Sequence, residues 1–137
     1  MTFVVDASVT MAWCFESEAD AYSDAALAAL ENGEAVVPSL WVLEVANVLV
    51  DAERRRRIGH ADTSRFLGLL AALPIAVVET TTLPELGRLL GLARRYRLTA
   101  YDATYLHLAV ERRLPLATRD RALRAAARAA SLPTFES

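Results

Sequence analysis

Four carboxylates stand where chemistry is possible: Asp6 in "MTFVVDASVT", Glu44 in "PSLWVLEVANVLVDAERRRR", Asp102 in "LTAYDATYLHLAVERR" and Asp120 in "LPLATRDRALRAAARAA". Asp6 follows directly on the apolar run Phe3-Val4-Val5, which reads as a buried strand. It is therefore either a helix cap or a catalytic group. Glu44 lies one turn into an amphipathic helix that begins after Pro38, with Leu40, Trp41, Asn47 and Val48 as its neighbours one turn away. Its structural alternative is a partly exposed glutamate that favours the positive start of the helix. Asp102 has capping-box spacing with Thr99, yet Leu98, Tyr105, Leu106 and Ala109 put it on an apolar stripe. Asp120, taken alone, is an ordinary N-cap.

The elements that would carry these acids alternate. Apolar runs at 3–6, 35–38, 75–79 and 114–118 read as strands, with a weak fifth near Pro133–Phe135. Helix-period segments are expected at 17–32, 39–57, 61–72, 83–96, 99–113 and 120–130. Such alternation predicts an α/β fold with a parallel sheet covered by helices on both faces. In that architecture the functional crevice lies beyond the carboxyl ends of the strands. Two of the acids follow strand ends and two lie in the first turns of helices that start on the same side. All four are thus expected to converge on one edge. Two carboxylates about 4 Å apart repel by roughly 4 kcal/mol at an effective dielectric near 20. A group of four needs protons or a cation. With oxygen donors only, that cation is a hard one, Mg²⁺ or Mn²⁺.

Composition narrows the field. At 137 residues the chain has room for one domain, 1–137, and 54% hydrophobic residues argue against disorder. Cys14 is the only cysteine, which excludes an internal disulfide and a cysteine-rich zinc site. No signal-peptide pattern or membrane-length apolar run is present, so a cytoplasmic protein with no membrane association is expected. All fifteen basic residues are arginine, so lysine chemistry is absent. A net charge of −2 does not by itself advertise a nucleic-acid partner, but the arginines are clustered.

In order and spacing, "VVDASV", "WVLEVANVL", "LTAYDATYLHLA" and "LATRD" resemble the acidic motifs of PIN-domain ribonucleases, most closely the VapC toxins of toxin–antitoxin pairs. The resemblance spans essentially the whole chain. It implies a single PIN domain, a three-layer α/β/α sandwich with four to five parallel strands in the order 3-2-1-4-5. By the same resemblance Asp6, Glu44, Asp102 and Asp120 match the catalytic, metal-binding acids, Thr118 the active-site hydroxyl, and Ser8 and Asn47 supporting positions. His107 matches no functional position and is assigned no role. The implied activity is Mg²⁺-dependent hydrolysis of RNA phosphodiesters, in tRNA or rRNA, with Mn²⁺ as a possible substitute. Asp6 and Asp102 are the expected direct ligands; Asp120 and Glu44 are expected to act through coordinated waters or to position the nucleophile. The implied partners are a VapB-like antitoxin lodged in the groove and a second copy of the chain.

The arginines divide. "RRRR" (54–57), "RRYR" (94–97) and "ERR" (111–113) close helices, where cations suit the dipole. Arg119, Arg121 and Arg124 flank Asp120 and are the better candidates for a substrate phosphate. Trp13, Phe15, Trp41 and Phe66 are expected mostly in the core. Receiver domains also gather acids at a sheet edge but use a lysine that this chain lacks. Haloacid-dehalogenase-like phosphatases use Asp-x-Asp, where this chain has Asp6-Ala7-Ser8. The remaining alternative is a catalytically silent PIN-like module that binds RNA or protein.

Overall fold

A computed structural model of the chain describes residues 1–136. Four strands, β1 (Thr2–Val5), β2 (Glu34–Pro38), β3 (Ile75–Val78) and β4 (Leu116–Ala117), form one parallel sheet in the order β3-β2-β1-β4. The seven helices are α1 (Ala7–Ala12), α2 (Ala21–Ala29), α3 (Ser39–Arg54), α4 (His60–Ala72), α5 (Leu86–Tyr96), α6 (Ala100–Arg112) and α7 (Arg121–Ala129). Short 3₁₀ turns at Glu16–Glu18 and Leu83–Glu85 precede α2 and α5. This is the expected α/β architecture, with helices flanking the sheet. Among the described residues no helix is long and apolar enough to cross a membrane.

The central strand explains the alternation of function and burial. Phe3, Val4 and Val5 are fully buried, as an apolar run between two neighbouring strands must be. β1 pairs with β2 through Thr2↔Glu34 to Val4↔Val36 and with β4 through Val4↔Leu116 and Val5↔Ala117. The second ladder runs one residue further, because the Asp6 N–H donates to the Ala117 carbonyl at 3.1 Å. That extra rung sets Asp6 beside Thr118. The chain winds one way from β1 to β2 and β3, then returns to lay β4 on the other side of β1. The order therefore reverses between β1 and β4, where α/β crevices form. The turn into β2 needs Gly33, since a Cβ there would lie 2.2 Å from the Met1 carbonyl oxygen.

Two differences from the expected layout have local causes. The segment 17–32 is not one helix: it begins as a 3₁₀ turn and becomes helical only at Ala21, where Asp20 accepts a bond from the Ser23 N–H at 2.7 Å. The short α1 ahead of it was not expected. The tail forms no fifth strand among the described residues. Ser131 takes a left-handed backbone (φ 60°) and turns the chain away from α7, and Pro133 has no N–H to give a ladder. Phe135 instead packs as a plug, its ring 4.8 Å from that of Phe3 and 5.6 Å from that of Tyr22. Ser137 lies outside the described residues. Phe15, Trp41 and Phe66 join the core, and Trp13 packs partly buried against it.

Candidate active site

Asp6 is a helix cap, and it stands at the end of β1 where the strand order reverses. Its Oδ1 accepts from the Val9 N–H (3.1 Å), which starts α1, and from the Ser8 hydroxyl (2.6 Å). Its Oδ2 accepts from the Thr118 hydroxyl at the end of β4. Thr10 donates to the Asp6 carbonyl (2.9 Å), and the Trp41 indole donates to Thr10 (2.9 Å), which ties α3 to the end of β1. Asp6 is thus held from three elements. It is only 5% exposed, and burial pushes its carboxyl up to about 6 despite those three hydrogen bonds; the charge of Asp102 pushes in the same direction.

The Asp120 loop is built around Thr118. Thr118 Oγ1 accepts from the Asp120 N–H at 3.0 Å while donating to Asp6. Ser8 bridges the same two segments by accepting from the Arg119 N–H at 3.0 Å. Asp120 itself caps α7 through the Leu123 N–H (2.8 Å) and stays exposed. Arg124 donates to the Thr118 carbonyl (2.8 Å), and its guanidinium lies 4.6 Å from the centre of the Tyr22 ring. The Tyr22 hydroxyl in turn accepts from the Thr118 N–H at 3.2 Å.

Asp102 and Glu44 approach from the two helices. Thr99 caps α6 by accepting from the Asp102 N–H at 3.1 Å, so the capping alternative is also real. Burial first, then the charges of Asp120 and Glu44, raise the Asp102 carboxyl above the usual range. Glu44 is half-buried and accepts a 2.5 Å bond from the Tyr105 hydroxyl. Burial and this bonded carboxylate together hold the Tyr105 phenol strongly upward, so it stays a donor. Tyr105 lies on the apolar stripe beside Asp102 and is buried, but its hydroxyl serves Glu44. Its helical register was the available signal.

The four acids act on one another electrostatically, yet no three of them bring carboxylate oxygens within 4.8 Å of one another among the described residues. No basic side chain is among the groups shifting Asp6 or Asp102. The edge is therefore negative and partly desolvated, and none of the four acids is in an ion pair among the described residues. That donor set, all oxygen, fits a hard divalent cation.

The remaining candidates separate clearly. Asn47 is exposed on α3 and makes no side-chain hydrogen bond among the described residues. Arg119 is committed to Asp20 (3.2 Å) and Glu18 (3.7 Å), and Arg124 to the Thr118 loop. Arg121 is exposed and, among the described residues, has no ion pair or side-chain hydrogen bond.

The PIN domain family matches residues 3–129. The chain belongs to the PIN-domain family. PIN domains are generally nucleases that use divalent metals, which agrees with the chemistry of the acidic edge. Among solved structures, this PIN domain is similar to PAE2754 from Pyrobaculum aerophilum, with 29% identity and a TM-score of 0.68 over 92% of this chain and 79% of that one. No curated protein matches the sequence.

Proposed function

We propose that this PIN domain is a Mg²⁺-dependent endoribonuclease, the toxin of a VapC-type pair, which cuts tRNA or rRNA and accepts Mn²⁺ as a substitute. The observation that supports it best is Asp6: a buried carboxylate at the β1/β4 reversal, fixed by Ser8, Val9 and Thr118 and facing other acids instead of a base. In this reading Asp6 and Asp102 bind the cation directly, and Asp120 and Glu44 hold its water ligands or orient the attacking water. When bound, Mg²⁺ would neutralise charge on the non-bridging phosphate oxygens and acidify a water molecule. Thr118 and Ser8 keep the Asp6 oxygens aimed without spending protons in the reaction. Tyr105 holds Glu44 in place by donating to it. Arg121, unpaired at the start of α7, is the arginine best able to meet a backbone phosphate.

The test is cleavage of total tRNA and rRNA with Mg²⁺ or Mn²⁺. We expect 5′-phosphate and 3′-hydroxyl ends, complete loss with EDTA, and loss in Asp102→Asn. Cleavage that survives EDTA would overturn the mechanism. Binding of RNA without cutting in either metal would favour the silent module. The pairing half of the proposal, an antitoxin in the groove and a homodimer, predicts that the neighbouring gene encodes a short DNA-binding protein whose co-expression blocks cleavage.

A further inference from the structure

A second polar cluster lies away from the Asp6 crevice. His107 and Glu111 sit one turn apart on α6, and Glu85 reaches them from the 3₁₀ turn before α5. One ligand atom from each lies within 4.8 Å of the others. His107 is 2% exposed and its Nδ1 has no hydrogen-bond partner among the described residues. Its Nε2 faces Glu85 Oε2 at 3.4 Å. That is too long for a charge-assisted hydrogen bond, usually about 2.7–2.9 Å. It equals the edge, roughly 3.3–3.4 Å, of a tetrahedron with zinc–ligand bonds of about 2.0–2.1 Å.

The unsatisfied groups gather here too. Of four buried side-chain polar atoms without a partner among the described residues, three are Thr80 Oγ1, Glu85 Oε2 and His107 Nδ1. All three residues line one cavity of ≈ 290 Å³, together with Glu79, Thr82 and Glu111. Buried polar atoms without partners are rare, and three around one space mark a place for a polar ligand. Arg88 fills part of that need: its guanidinium is 2.5 Å from Glu111 and 3.5 Å from Glu85, and its side chain is 62% exposed. It does not reach the imidazole.

We propose that Glu85, His107 and Glu111 bind one borderline divalent transition-metal ion, zinc first, with Arg88 swinging out to admit it. One imidazole nitrogen and two carboxylates suit zinc, whereas the all-oxygen crevice suits magnesium. The ion clamps the turn before α5 to the C-terminal half of α6, whose N-terminal half carries Asp102 and Tyr105.

The test is zinc titration by calorimetry and thermal melting, in the Asp6→Asn/Asp102→Asn double variant so that the crevice does not compete. One equivalent of Zn²⁺ should bind and raise the melting temperature. Glu111→Gln, at an exposed position, should weaken binding about tenfold or more, since even residues behind metal ligands cost that much. His107→Asn should do the same if it folds, and Glu111→Gln decides the matter if it does not. Arg88→Gln should bind more tightly. No zinc binding in the double variant, full affinity in Glu111→Gln, or weaker binding in Arg88→Gln would each overturn the proposal.

Discussion

Asp6→Asn tests the electrostatics of the crevice without any RNA. The ordinary aspartate value is 3.8, and burial raises Asp6 to about 6. Holding the ionised carboxylate in the fold above that value therefore costs about 3 kcal/mol. The native state binds the extra proton, so the contribution of Asp6 to stability is most favourable below pH 4, falls as pH rises from about 4 to 6, and is flat above. Asparagine keeps the α1 cap, because its carbonyl can still accept from Val9 and Ser8. It loses one acceptor: the Thr118 hydroxyl must turn its proton away from the new amide, at about 1 kcal/mol. The variant should thus be more stable than wild type by about 2 kcal/mol at pH 8 and slightly less stable at pH 4. Urea unfolding in EDTA at intervals from pH 4 to 8 measures this directly. Two parallel curves, with a constant difference across that range, would refute the claim that a buried uncompensated charge sits at Asp6.

Two further substitutions probe the surrounding contacts. Tyr105→Phe removes the 2.5 Å bond to Glu44 and should cost about 1.5 kcal/mol in denaturant unfolding, at the low end for a charged acceptor because Glu44 is only half-buried. It should also lower the rate of RNA cleavage at saturating substrate, since Glu44 loses its orientation. Arg121→Ala should leave stability unchanged and weaken RNA binding, with the slope of log affinity against log salt reduced by about 0.7. An unchanged salt slope would remove Arg121 from the substrate path.

Much of the site was legible because its parts follow simple local rules. An apolar run ending in aspartate, and a helix opening in an apolar stripe that contains an acid, can each be read from a dozen residues. What could not be read is whatever joins distant segments. Arg119 looked like a phosphate ligand beside Asp120, but it pairs with Glu18 and Asp20, about a hundred residues earlier. Tyr105 is core, as its place on the apolar stripe implies, but its hydroxyl also meets Glu44 on α3. Helix α1 escaped notice because "ASVTMA" is short and contains two β-branched residues, Val9 and Thr10. It forms because Asp6 caps it and because Val9 to Ala12 are buried. Phe135 defeated the expected final strand by packing on Phe3, a contact that no local pattern announces.

The capping roles of Asp6, Asp102 and Asp120 are also what make the crevice possible. A cap fixes a carboxylate or its backbone at a helix start, where peptide N–H groups already favour negative charge. Asp6 and Asp120 both spend oxygens on N–H groups, of Val9 and Leu123, and so are oriented before any ligand arrives. Asp102 is oriented differently, through its own N–H to Thr99. Glu44 is anchored by a phenol and not by a helix start. The structural and chemical readings of these acids are therefore not rivals. For Asp6, the bonds that make it an ordinary cap are also the bonds that hold a charged group in a desolvated crevice, where left alone it would take up a proton or turn to water.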